Sequence, residues 1–117
     1  KINDEELVIL SHMLQLGTTD VETQCRTLLS RYALHMLVLT CGTNGSYIYT
    51  ADETYFRKTP LVQVADTVGA GDSFTATLVS DLLRGTPIAE AHEHAVKVAA
   101  YVCTQKGAMA EWPAQGF

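Results

Sequence analysis

At 117 residues, 47% of them hydrophobic, the chain has the make-up of at most one globular domain with a real core. Thirteen acidic against eight basic residues give a formal charge of −5, and no basic patch appears, so nucleic acid is not an expected partner. No apolar run reaches the roughly 18 residues of a membrane span, and the start lacks a signal-peptide pattern. The odd set of Cys25, Cys41 and Cys103, with no C-x-x-C pair, reads as reduced thiols in a cytoplasmic protein, not as a disulfide or zinc framework.

Residues 4–16 carry Leu7, Val8, Leu10, Leu14 and Leu16 at near-helical spacing, and Gly17 is expected to end that helix. Thr19 or Asp20 can cap a second helix running to about Tyr32, with Cys25, Leu28 and Leu29 facing inward. Met36-Leu37-Val38-Leu39 is apolar throughout and reads as a buried strand. Gly42-Thr43-Asn44-Gly45 makes a turn, residues 46–50 return, and Thr54-Tyr55-Phe56 reads as a further strand. A helix spans Gly71 to Leu83 and stops at Gly85. Pro87 suits the first turn of a last helix that runs to about Thr104 and is closed by Gly107. Helices intermixed with buried strands point to a layered α/β fold.

The densest chemical signal is Asp66-Thr67-Val68-Gly69-Ala70-Gly71-Asp72, which opens a helix. Glycines allow a sharp turn and a close backbone approach. The first helical turn offers unpartnered N–H groups in a positive field, so the stretch is a site for phosphate or another anion. A carboxylate placed there, Asp72, needs a chemical reason. On its own the stretch also reads as a plain strand-to-helix turn. It is neither a P-loop, which needs G-x-x-x-x-G-K-[ST], nor a complete G-x-G-x-x-G fingerprint.

Asp66 to Phe74 resembles the second signature of the ribokinase/PfkB family of carbohydrate kinases. Three further stretches agree in order: Asn3 and Glu6 as N-x-x-E, Thr40, Gly42 and Gly45 as T-x-G-x-x-G, and Lys106-Gly107-Ala108 as the closing K/R-G-A. The resemblance implies the C-terminal part of a ribokinase-like three-layer α/β/α sandwich. It implies ATP-dependent transfer of the γ-phosphate to a sugar hydroxyl. Asp72 would be the base, and the N–H groups of Gly69, Ala70, Gly71 and Asp72 the anion hole. A helix N-terminus favours the charged carboxylate, so the proton is expected to move late, once the hydroxyl has become acidic. Thr40, Gly42 and Gly45 would meet the nucleotide. Asn3 and Glu6 would organise Mg2+ through water, although Asn then Glu three residues on is also a capping box, a spacing repeated at Thr19 and Glu22.

As in many members, K+ would bind backbone carbonyls, at positions matching Asp66, Val68, Val102, Gln105 and Gly107. His12, His35, His92 and His94 suggest no metal site, since His92 and His94 point to different sides of a helix. The cysteines and methionines read as packing. Residues 100–108 look most like fructokinase-type members, while other sugars, sugar acids and nucleosides stay open as substrates. Family members are much longer than this chain and keep their sugar-binding half and lid elsewhere. A fragment is therefore expected, inactive alone, whose uncovered strand edge invites association with another copy. Two alternatives stand beside the kinase: a non-catalytic nucleotide- or phosphate-binding module on the same scaffold, and an α/β interaction domain with fortuitous glycines.

Overall fold

The computed structural model describes residues 1–105 and divides into two compact units, residues 1–58 and the part from Thr59 onward. The first unit contains β1 (Ile2–Asn3), α1 (Asp4–Met13), α2 (Val21–Arg31), β2 (Leu37–Thr40), a 3-10 turn (Gly42–Asn44), β3 (Ser46–Tyr49) and β4 (Thr54–Arg57). The second contains α3 (Ala70–Leu83) and α4 (Ile88–Cys103).

Side-chain caps set where the first two helices begin. Asn3 Oδ1 accepts from the Glu6 N–H at 2.8 Å, and Glu6 Oε1 accepts from the Asn3 N–H at 2.8 Å, a complete capping box ahead of α1. Asp20 Oδ2 accepts from the Thr23 N–H at 3.0 Å and from the Thr23 hydroxyl at 2.6 Å at the start of α2. Those two bonds hold the exposed Asp20 carboxyl below its ordinary range.

The sheet runs in the order β1-β2-β3-β4. β1 pairs parallel with β2, bringing Asn3 opposite Thr40, and the other pairs are antiparallel. Alternation along β2 and β3 puts Leu37, Leu39 and Tyr49 on one face, where they form a core with Leu7 of α1 and Cys25, Leu28 and Leu29 of α2. Val38 and Ile48, on the opposite face, are buried too, which is why Leu37–Leu39 is apolar at every position. Arg26 ties α2 to the β3–β4 hairpin. Its Nη1 donates to the Thr50 carbonyl at 3.0 Å, its Nη2 to Thr54 Oγ1 at 2.6 Å, and the guanidinium lies over the Tyr49 ring.

In the second unit α3 and α4 pack as a helical hairpin turned at Gly85, with Phe74 and Leu78 of α3 and Ala91, Ala95, Val98 and Val102 of α4 buried. His92 is fully buried, edge-on to Phe74. Buried Asp81 holds His94 Nδ1 at 2.6 Å and accepts a longer ion pair from Arg84. The two histidines thus meet α3 at different turns.

Two expectations change and one element is new. α1 stops at Met13, before Gly17: Gln15 takes a left-handed φ of 52° and the Leu16 N–H turns back to the Ser11 carbonyl. Val8 faces outward on α1, 67% exposed, because Leu7, Leu10 and Leu14 already fill the inward stripe. β1 was not expected, since two residues carry no periodic signal. Gly107 lies outside the described residues.

Gly45 sits at φ 106°, ψ −165°, a backbone conformation nearly confined to glycine, and a Cβ there would come within 2.6 Å of the Arg57 carbonyl oxygen. Gly42, at φ 56°, has open space where its Cβ would go. Gly45→Ala is therefore expected to lower unfolding free energy by about 3 kcal/mol and Gly42→Ala by about 1 kcal/mol. Urea denaturation of the two variants checks the ranking.

Candidate active site

Each unit assembles its own group of candidate residues. In the second unit the chain arrives at α3 through a short, pinned loop. The N–H groups of Ala65 and Asp66 both donate to the Cys103 carbonyl at the end of α4, at 2.8 and 3.2 Å. Asp66 Oδ1 then accepts from the Val68 N–H at 2.9 Å, an Asx turn that folds the loop back. Gly69 follows at φ 83°, a left-handed conformation that glycine takes without steric cost, and α3 begins at the next residue.

No side chain caps this helix. The Ala70 N–H donates to the Thr67 carbonyl at 3.2 Å, so the turn itself uses one of the four amides expected to form an anion hole. Those of Gly71 and Asp72 have no acceptor among the described residues. Two N–H groups at the positive end of a 14-residue helix, with the exposed Asp72 carboxylate in the same turn, can receive an anion and a proton side by side. Thr75 Oγ1 bonds the Gly71 carbonyl at 3.0 Å and steadies that first turn.

Of the candidate carbonyl ligands, Asp66 and Val68 lie on the pinned loop. Val102 is buried near the end of α4, and its carbonyl accepts from the Gln105 N–H at 3.1 Å. Asp66 and Cys103 are thus joined by a backbone bond, which brings the loop to the end of α4 where Val102 and Gln105 lie. Gly107 falls outside the described residues.

In the first unit, the β1–β2 register places Asn3 beside Thr40, at the strand ends where α1 and the Gly42–Asn44 turn begin. The Cys41 N–H donates to the Gly45 carbonyl at 2.8 Å and closes that turn. Asn3 and Glu6 realise the capping box. Asn3 Oδ1 and Glu6 Oε1 are committed to backbone amides, so on the exposed Glu6 the second carboxylate oxygen is the acceptor that would remain for the hydration shell of a Mg2+ ion. A groove between α1 and α2 is lined by Leu7, Ser11, Thr18, Gln24, Leu39 and Cys41, and none of the candidate residues lines it.

The thiols do not compete for a catalytic role. Burial pushes Cys25 up to about 11, with neighbouring Cys41 and Glu22 adding to the effect. Burial and then Asp4 raise Cys41, and burial and then Asp66 raise Cys103, so all three stay protonated near neutral pH. Among the described residues no cluster of three His, Cys, Asp or Glu side chains could hold a metal. Sequence reasoning missed the Asp81–His94 pair, because a contact 13 residues apart across a helical hairpin leaves no local pattern.

A family model for pfkB family carbohydrate kinases matches residues 1–115. The chain belongs to this family. Its relatives include a probable fructokinase-2 of Arabidopsis thaliana, 31% identical over 120 residues that cover 97% of this chain and 35% of that protein. Ribokinase from Thermotoga maritima superposes with a TM-score of 0.81 at 26% identity, covering 91% of this chain and 35% of that one. Fructokinase from Vibrio cholerae O395, solved with fructose, ADP and calcium, superposes with a TM-score of 0.73 at 29% identity, covering 92% of this chain and 35% of the other. The α/β fold is therefore part of the ribokinase fold, and the chain spans about a third of the length of these relatives.

The capping box is a structural role that needs no ligand. Asn3→Ala is expected to cost about 1 kcal/mol of stability, and Asn3→Asp, which caps equally well, close to nothing. Thermal unfolding without divalent cations checks this: Asn3→Ala should lose stability there and Asn3→Asp should not.

Proposed function

We propose that this chain supplies the phosphate side of the active site in an ATP-dependent sugar kinase. The observation that carries the reading is the start of α3: Gly69 in a left-handed turn, the N–H groups of Gly71 and Asp72 that find no acceptor among the described residues, and the Asp72 carboxylate in the same helical turn. In this reading the sugar hydroxyl oxygen attacks the γ-phosphorus of ATP, a P–O bond forms to the sugar, and the bond to ADP breaks. The hydroxyl proton passes to Asp72. The N–H groups of Gly69, Gly71 and Asp72 carry the charge on the transferring phosphoryl oxygens, and Ala70 joins them only if its bond to Thr67 opens.

Thr40, Gly42 and Gly45 contact the nucleotide. Bound Mg2+ would neutralise phosphate charge, held through water by Glu6 and Asn3. The carbonyls of Asp66, Val68, Val102, Gln105 and Gly107 are the candidate K+ ligands. The fructose, ADP and calcium bound to the Vibrio relative support a sugar, a nucleotide and a divalent ion as ligands. Fructose is the favoured substrate, from residues 100–108 and the fructokinase relatives, although ribokinases are comparably similar.

The share of each relative that is covered supports a division of labour in which the sugar-binding half and lid come from a further segment of the kinase. No helix among the described residues is long and apolar enough to cross a membrane, which is compatible with the proposed cytoplasmic location. The rival reading is a nucleotide- or phosphate-binding module without catalysis.

Two measurements separate these readings. Asp72→Asn, in the kinase carrying this segment, is expected to lower kcat by about 10²–10⁴-fold while ATP binding persists, the usual worth of a positioned base. Unchanged turnover would remove Asp72 from the chemistry. The 117-residue chain alone should show no turnover of fructose and ATP in a coupled ADP assay; measurable turnover would contradict the division of labour.

A further inference from the structure

The Asn44-Gly45 pair builds a turn, and the same pair carries reactive chemistry. The chain has two asparagines, Asn3 and Asn44. Asn3 spends its side-chain oxygen on the Glu6 N–H, inside a complete capping box. Asn44 is exposed, and its side-chain amide has no hydrogen-bond partner among the described residues. Asparagine is a heat-labile residue because the backbone nitrogen of the next residue can attack its side-chain amide.

The turn favours that attack at Asn44. No side chain on Gly45 shields its nitrogen, and the fold itself demands glycine there: φ is 106°, and a Cβ would come within 2.6 Å of the Arg57 carbonyl oxygen. The Gly45 N–H donates to the Gly42 carbonyl at 3.4 Å, so the nitrogen is weakly committed. An ordinary N–H···O bond spans roughly 2.7–3.2 Å. The free, exposed Asn44 amide can rotate toward that nitrogen. Asn3 meets neither condition, since Asp4 follows it and its Oδ1 is held.

We propose that Asn44 is a self-modification site, at which the turn converts Asn44 to isoaspartate and aspartate and thereby loses its closure. The Gly45 nitrogen attacks Asn44 Cγ and a C–N bond forms. The side-chain amine leaves as ammonia, carrying the proton from the Gly45 N–H. Water then opens the five-membered imide. Cleavage at Cγ leaves aspartate. Cleavage at the Asn44 backbone carbonyl carbon leaves isoaspartate, whose main chain runs through the side chain and is one methylene longer. Either product adds a negative charge. The isoaspartyl link also lengthens the segment that the 2.8 Å bond from the Cys41 N–H to the Gly45 carbonyl closes, while Gly45 has no space toward Arg57 and Phe56. One of those contacts must yield. The chemistry is independent of the kinase reading; under that reading the new charge stands among the proposed nucleotide contacts, Thr40, Gly42 and Gly45.

Peptide mass mapping of the 117-residue chain, aged in mildly alkaline buffer without denaturant, tests the proposal. The expected result is acid product at Asn44, with isoaspartate scored by enzymatic methylation, forming at least about tenfold faster than at Asn3. Asn44→Gln, whose longer side chain must close a six-membered ring, should stay unmodified over the same period. The aged chain should unfold at lower urea than the fresh chain, whereas aged and fresh Asn44→Gln should unfold together. An Asn44 that stays intact in the folded chain, equal rates at Asn3 and Asn44, or a modified chain that unfolds at the unmodified midpoint would each overturn the proposal.

Discussion

A helix must find acceptors for its first N–H groups or leave them open, and this chain treats its helices differently in that respect. At α1 the Asn3–Glu6 capping box supplies two reciprocal bonds, and at α2 Asp20 supplies its carboxylate. At α3 no side chain does so: the helix starts from Gly69 at φ 83°, and only Ala70 among the leading amides turns back to the loop. α4, with Pro87 at its N-cap, also lacks a side-chain cap. The open start of α3 is the feature around which the candidate site is arranged.

An open amide pair is useful only if the backbone holds it still. The loop before α3 is fixed at both ends, by the bonds of Ala65 and Asp66 to the Cys103 carbonyl and by the Asx turn from Asp66 to Val68. Further along, the part-buried Asp81–His94 pair and the Phe74–His92 contact join α3 to α4. The same economy is seen in the first unit, where Gly45 serves packing against Arg57 before any ligand is considered. A residue that a family motif singles out can thus carry a folding role and a binding role at one position. Asn3 and Glu6 are the plainest case, since their cap is complete without a metal.

Local chemistry was legible in the sequence. The Asp20 cap, the apolar Leu37–Leu39 run, the Asn-Gly turn and the helices that flank Gly85 all follow from side-chain rules acting over a few residues. What was hidden depends on partners distant in sequence. β1 exists because Ile2 and Asn3 pair with Leu39 and Thr40, nearly forty positions away. Val8 reads as core by spacing, yet the inward stripe has room only for Leu7, Leu10 and Leu14. Nothing near His94 in sequence points to Asp81, which α3 brings to it. In the candidate site, the motif located Gly69 to Asp72, but only the turn geometry reveals that Ala70 is already bonded while Gly71 and Asp72 find no acceptor among the described residues.

The central claim is that the open amides of α3 receive phosphate. Amide hydrogen exchange of the chain, with and without ATP and Mg2+, tests it most directly. Protection is expected to rise at Gly71 and Asp72 while the already capped amide of Thr23 stays unchanged. If nucleotide binding is demonstrated by calorimetry and the exchange of Gly71 and Asp72 does not slow, the phosphate binds elsewhere and the account is contradicted.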